Sequence, residues 1–361
     1  MMDVEDLADT TKTKSDSGTV GLRDLARLAD VDVSTVSRAL SRDPRVSAER
    51  AKTIRELARR MGYRPKPMRA KHTRAVGLLI GSDQLDRIGG VGEHFLERIV
   101  WIAQQVLGQK RLHVNIEYFL RQDDGTSIPA ILQENRVDGV ILAGHPAADM
   151  VARIGEHGIP AVCINDSATR LGIPCVSSDP QKAIHEAIIR LAALGHRRFG
   201  LLMNDLEYPT SQARYKAYGA ALADIGISAD PNWLVSDLPP EISGGREGIR
   251  ELARRGKPPT AILCCNDWVA LGALMELLSR GVVVPRDVSL IGHDNVSFCE
   301  SLEPRLSSIC RSEHMLVSKA VQLLLDAVDR GNGKAEDTLV EGAVVWREST
   351  GPAKTAASRT A

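Results

Sequence analysis

The sequence predicts an α/β protein: a small all-α headpiece at the N-terminus, then two doubly wound parallel-sheet lobes. Three observations carry this. Apolar residues recur at helical spacing between residues 22 and 40. From residue 75 onward, short apolar runs alternate with helical patterns at about 30 residues per unit, as in consecutive βαβ units. About 275 residues of such alternation exceed one comfortable core, so two lobes are expected.

In the headpiece, Leu22, Leu25, Ala26 and Ala29 form one apolar helical face. The break at Asp30-Val31-Asp32 follows, and Asp tolerates positive φ better than most residues. Asp32 is placed to cap a second helix, whose own stripe is Val36, Ala39 and Leu40. Two short helices joined by a tight turn describe a helix-turn-helix. Charge agrees: Val20 to Arg74 holds fifteen Lys and Arg against six Asp and Glu, a surplus of nine. The whole chain is neutral, so the remainder is acidic by the same amount. Local positive charge suits phosphate contact, and an acidic remainder limits non-specific binding elsewhere.

The lobes read in order. Ala75–Ile80 is a short apolar run suited to a buried parallel strand, and Phe95, Ile99, Ile102, Ala103, Val106 and Leu107 mark the next helix. His113–Ile116, Val137–Leu142 and Pro160–Asn165 are further strands. The second set comprises a helix over 183–194, a strand at Phe199–Leu202, a helix over 214–225, and strands at Ala261–Cys264 and Val288–Gly292. The lobe boundaries are expected at 75–175 plus 310–338 for the first, and 176–309 plus 339–350 for the second.

Several function classes find no support. G-x-S-x-G, H-E-x-x-H and P-loop patterns are absent, and Gly89-Gly90-Val91-Gly92 lacks the setting of a dinucleotide fingerprint and reads as a loop. No enzyme activity and no cofactor are expected. The six cysteines form no C-x-x-C pair and the nine histidines no ligand cluster, so no metal site is expected; Cys264-Cys265 read as buried. No apolar run spans a bilayer, and the polar start lacks a secretory core. The expected location is cytoplasmic and nucleoid-associated. Residues 1–18 are expected to be a disordered arm, and 351–361 a disordered tail without leucine heptads.

The headpiece resembles that of the LacI/GalR family of bacterial transcription regulators. The resemblance rests on Thr35-Val36-Ser37-Arg38-Ala39-Leu40, then Val46-Ser47 with Arg50, Ile54 and Ala58, then Gly62-Tyr63-Arg64-Pro65. It implies a headpiece at 19–65 in which Val33 and Ser34 choose the operator. Thr35, Ser37, Arg38, Arg42 and Tyr63 fall among the implied DNA-contacting positions, and Ser47 would cap helix three. Arg38 is the first candidate to read guanine, because a guanidinium pairs with O6 and N7 together. A hinge is implied at 66–74. It is about one helical turn short, contains Pro67 and has no leucine to wedge into the minor groove, leaving Met68 in that role.

Residues 75–350 resemble the periplasmic-binding-protein-like effector domain of the same family. Arg136–Gly139, His196–Gly200, Asn266–Gly272 and Val288–Asn295 carry the match. A ligand is then implied between the lobes, at the carboxyl ends of the strands. The implied ligand residues are Ser82, Phe95, Asn165, Arg214, Asn266, Trp268, Asp294 and His314; Asp267 is expected to cap a helix. Arg, Asn and Asp together suit a polyhydroxylated saccharide or nucleoside. The implied partners are a pseudo-palindromic double-stranded DNA operator, a small effector and a second copy of the chain, with no membrane. The implied function is a sequence-specific transcriptional repressor whose operator affinity the ligand changes. The alternative is a soluble sugar-binding protein or enzyme with a non-functional headpiece.

Overall fold

The computed structural model describes residues 21–40, 45–61, 63, 73–82, 94–120, 129–134, 136–331 and 334–354. The chain divides into two compact units, residues 1–70 and 71–361. The arm at 1–18, Arg42, most of the basic hinge with Met68, and the glycine run at 89–92 lie outside the described residues.

In the first unit, the apolar spacing yields α1 (Leu22–Leu28), α2 (Val33–Leu40) and α3 (Ala48–Arg60). Leu25, Ala26, Val36, Ala39, Ala51, Ile54 and Ala58 form its core, and Tyr63 packs at the edge. Burying a side chain the size of Ile54 contributes about 2 kcal/mol. Asp30 takes φ 50° at the turn. The Asp32 carbonyl accepts the N–H groups of Thr35 and Val36, which starts α2. Ser47 holds the N-cap position of α3, but its hydroxyl makes no capping bond. At α1 the Asp24 carboxylate accepts the Gly21 N–H at 2.9 Å.

The second unit runs β1 (Ala75–Ser82), α4 (His94–Gln109), β2 (His113–Leu120), α5 (Ala130–Gln133), β3 (Gly139–Ala143), α6 (Ala148–Glu156), β4 (Ala161–Ile164), α7 (Ala168–Leu171) and β5 (Cys175–Asp179). It continues with α8 (Gln181–Ala193), β6 (Phe199–Leu202), α9 (Pro209–Asp224), β7 (Leu234–Val235), α10 (Ile242–Arg254), β8 (Ala261–Cys264) and α11 (Asp267–Ser279). It closes with β9 (Ser289–His293), β10 (Ser307–Cys310), α12 (Glu313–Arg330), β11 (Asp337–Glu341) and β12 (Ala343–Val345). The strands form two sheets, in the orders β11-β5-β4-β3-β1-β2 and β12-β10-β9-β8-β6-β7. Every pairing is parallel except β10 with β12. The central strands β3, β4, β6, β8 and β9 are buried throughout, as strands covered by helices on both faces must be.

The boundaries need four corrections. β5 lies wholly in the first sheet, so the first lobe runs to Asp179 and not to 175. β11 also pairs in the first sheet, so the return to the second lobe comes at Gly342 and not after 338. Both strands end in polar residues (Ser177-Ser178-Asp179, Glu341), and apolar patterning does not register such ends. The hinge expected to reach Arg74 stops earlier: the backbone N–H groups of Thr73 and Arg74 both donate to the Asp138 carboxylate, at 2.7 and 3.0 Å. The tail expected from 351 begins later. The Gly351 N–H donates to Ser289 Oγ at 3.0 Å, and the Ala353 N–H to the Leu194 carbonyl at 2.8 Å.

Candidate functional site

The first unit offers an exposed polar helix start. Val33, Ser34 and Arg38 are exposed, and Thr35 and Ser37 half-buried, while Val36 and Ala39 between them face the core. The 3.6-residue period thus separates a packing face from an exposed face. Tyr63 is half-buried, donates its backbone N–H to the Ala58 carbonyl at 2.9 Å, and has its phenol pKa raised by burial.

The second unit gathers charge at the carboxyl ends of β8, β9 and β10. Ser211, Tyr218 and Ala221 lie on the buried face of α9. Arg214, three residues from Ser211 and four from Tyr218, shares that face. A guanidinium in such a row is unusual, and its Nη1 donates to the Cys265 carbonyl just past β8, at 2.5 Å. Desolvation first, and then the neighbouring Arg311 charge, bring the Arg214 pKa down to about 10. Asp294 follows β9 with φ 109° and meets Arg311, which follows β10, at 2.8 Å. The Arg311 guanidinium also lies over the Phe95 ring of α4, 3.9 Å from its centroid. Burial pushes the Asp294 carboxyl up, against the pull of Arg311, Arg214 and Arg98. Arg98 of α4 pairs with Glu313 at the start of α12. Burial, followed by the Arg214 and Arg311 charges, holds His293 well below its ordinary value, so its imidazole is neutral.

Of the eight ligand candidates, Phe95, Arg214 and Asp294 converge on this cluster. The others are engaged elsewhere or only partly described. Asn165 takes φ 59° after β4 and is buried, its Oδ1 accepting the Ser178 N–H at 3.3 Å. Asn266 caps α11: its Oδ1 accepts the Val269 N–H at 2.7 Å and its Nδ2 donates to the Pro240 carbonyl at 2.9 Å. The cap expected of Asp267 therefore belongs to its neighbour. Asp267 instead lies fully buried, accepting the Val296 N–H at 2.8 Å and the Ser308 hydroxyl at 2.6 Å. Desolvation and then Asp294 raise its pKa to about 7. Trp268 packs edge-on against Phe298, with centroids 4.7 Å apart. His314 is exposed, its Nδ1 3.4 Å from Ser318 Oγ. Of Ser82 only the backbone, at the end of β1, is described.

Sequence reasoning missed Arg311, Arg98 and Glu313. Arg311 follows the serine-rich strand β10, which carries too few apolar residues to stand out. A hollow of about 390 Å³ also lies between the ends of β5 and β11 and the first turns of α9, lined in part by Asp166, Ser177, Asp179, Gln212, Lys216 and Asp337. These α9 residues belong to the opposite helix face from Arg214, so hollow and charge cluster are separate. Beside it, His145 after β3 stacks on Tyr208 before α9. Among the described residues no metal-binding group of acidic, histidine or cysteine side chains occurs, and no helix is long and apolar enough to cross a membrane.

Residues 21–66 match the family model described as bacterial regulatory proteins, lacI family, and residues 188–350 match the periplasmic binding protein-like domain. The chain is 27% identical over 341 residues to the ribose operon repressor of Haemophilus influenzae, covering 91% of this chain and 98% of that one. It is 28% identical over 343 residues to the HTH-type transcriptional repressor CytR of Escherichia coli K12, covering 94% and 98%. Among solved structures, a putative transcriptional regulator of LacI family from Sanguibacter keddieii aligns with a TM-score of 0.65 and 27% identity, over 78% of this chain and 99% of that one. The lac repressor dimer bound to operator and an anti-inducer aligns with a TM-score of 0.68 at 23% identity, over 92% and 99%, a likeness of fold alone.

Proposed function

Because the chain belongs to the LacI family of bacterial regulatory proteins, we propose that it is a sequence-specific DNA-binding repressor of transcription whose operator affinity is modulated by a small sugar-like effector held between its lobes. The observation that carries this is the coexistence in one chain of an exposed basic helix-turn-helix and an Arg214–Asp294–Arg311 cluster at strand ends. Full-length similarity to repressors supports the same reading. Their names identify transcriptional regulators, not catalysts.

In this reading Val33, Ser34, Thr35, Ser37 and Arg38 meet the operator, with Arg38 on a guanine edge. Arg42, Tyr63 and Met68 complete the DNA-facing set. Phe95, Arg214 and Asp294 meet the effector: an aromatic wall, a donor fork and an acceptor suit a ring bearing several hydroxyls. Ser82, Asn165, Asn266, Trp268 and His314 stand further out as effector contacts. An effector that prefers one lobe arrangement shifts the population of that arrangement, and operator affinity follows. Two copies of the chain would present two headpieces to a pseudo-palindrome. Exposed Met275, Leu278 and Val283 around the end of α11 support an apolar pairing surface. The protein would act in the cytoplasm, on the nucleoid.

The test is binding of the purified full-length protein to the DNA flanking its own gene, with and without a panel of sugars and nucleosides. The expected result is tight, salt-dependent binding to one pseudo-palindromic site, altered by one compound of the panel. Equal affinity for any DNA of that length would overturn the specificity.

A further inference from the structure

We propose that the effector is anionic, a small carbohydrate carrying a carboxylate or a phosphate, and that Arg214 and Arg311 receive its anionic group. This rests on the reading of the inter-lobe cluster as the effector site.

Three guanidinium groups, Arg98, Arg214 and Arg311, act electrostatically on one carboxyl, Asp294. Two carboxylates form ion pairs with them. Glu313 pairs with Arg98, and Asp294 pairs with Arg311. Arg214 pairs with no carboxylate among the described residues; its hydrogen bond is to the neutral carbonyl of Cys265. His293, also beside Arg214 and Arg311, is neutral and offers no compensation. Asp267 is a third carboxyl close enough to act on Arg214, but it makes no ion pair with it and accepts the Val296 N–H and the Ser308 hydroxyl instead. Arg214 is therefore the one guanidinium of the three without an ion-paired carboxylate among the described residues. An uncompensated charge away from water is costly, and an anion supplied from outside relieves that cost.

The hydrogen-bonding capacity points the same way. Arg311 is only 5% exposed, and Nε makes its closest approach to Asp294. A guanidinium has five N–H donors, more than this one contact takes up. That Nε lacks good hydrogen-bond geometry despite its closeness, as does Asp294 Oδ1, and both Glu313 carboxylate oxygens are likewise unsatisfied. Phe95 holds the guanidinium plane from one side, which leaves its in-plane N–H donors as the groups that could meet a planar or tetrahedral anion. Asp294 remains beside it as an acceptor for hydroxyl groups. A neutral sugar would satisfy Asp294 and leave Arg214 without an ionic partner; an acid or phosphate derivative satisfies both.

The experiment is isothermal titration of the full-length protein with D-glucose, D-glucuronate, glucose 6-phosphate and inorganic phosphate at matched ionic strength. Operator binding is measured in parallel. The expected result is that one or both acidic sugars bind roughly tenfold or more tightly than glucose. That preference should shrink as salt rises, and should be lost in Arg311→Gln but partly kept in Arg311→Lys. Comparing glucuronate with glucose 6-phosphate identifies the anion. Thermal unfolding checks that both variants fold. Glucose binding as tightly as its acids overturns the inference while leaving a sugar-responsive repressor intact. Inorganic phosphate binding as tightly as glucose 6-phosphate reduces the site to one for a free ion and overturns it too. Failure of both acidic sugars to bind a protein that still recognises its operator overturns the anionic carbohydrate but not the repressor. Loss of operator recognition would instead sink the underlying functional reading.

Discussion

His145 stacks on Tyr208 with ring centroids 4.5 Å apart and ring planes 29° apart, joining the loop after β3 of one lobe to the residue that precedes α9 of the other. His145 is itself held at φ 57°, with Nδ1 3.3 Å from Asp166. Aromatic pairs of this kind contribute about 1 kcal/mol beyond their buried area. Tyr208→Ala should lower unfolding stability by about that amount in urea melts, with unchanged circular dichroism. A stability equal to wild type would show that the stack does not tie the lobes.

Asp166 predicts an acid limit. Burial alone would raise its carboxyl pKa, but hydrogen bonds from Arg170, His145 and the Ser167 N–H outweigh burial and hold it at about 2, against an ordinary value of 3.8. A carboxyl with a lowered folded-state pKa stabilises fully above its unfolded value, and that stabilisation is lost as pH falls through the folded one. Stability should therefore fall by about 2 kcal/mol between roughly pH 4 and pH 2 on account of this group. In Asp166→Asn that part of the pH dependence should vanish; an unchanged slope in denaturant titrations across this window would refute the assignment.

Gly292 predicts a steric limit. A Cβ built at this position would lie 2.0 Å from Asp267 Oδ1. Gly292→Ala should cost about 1 to 3 kcal/mol, the usual range for overpacking a filled interior. It should also disturb the Ser308 and Val296 hydrogen bonds that Asp267 accepts. The check is the thermal midpoint, with Gly139→Ala, next to movable side-chain methyls as well as one carbonyl, as a milder comparison.

Arg38→Ala should weaken operator binding by about 1 to 3 kcal/mol, roughly five- to hundredfold, and relax discrimination at one base pair. Effector affinity measured without DNA should not change. Operator affinity kept within about threefold would remove Arg38 from the reading set.

The elements most legible in the sequence were those with strong periodicity. β6 and β8 fall where their apolar runs indicated, Phe199–Leu202 and Ala261–Cys264, and α1 and α2 follow their stripes. Asp30 takes a positive φ, which Asp tolerates better than most residues. β10, β11 and β12 were not legible: Ser307 and Ser308 are buried because Asp267, Arg347 and Ser349 surround them with hydrogen-bonding partners, which no local pattern announces. The same holds at the candidate site. Arg214 and Asp294 were found by position, whereas Arg311 joins them only because β9 and β10 lie side by side. Asn266 shows the converse, since its side chain is used at both ends by α11 and Pro240.

The first sheet has a temporal consequence. Its outermost strand β11 is made some 160 residues after β5, the strand it pairs with. At ribosomal rates of roughly 5 to 20 residues per second, the nascent first lobe waits about 8 to 30 s for that strand and for α12, which covers its core. During that interval one edge of an unfinished sheet is exposed while the second lobe emerges. A premature stop anywhere before residue 337 would damage the lobe that was synthesised first.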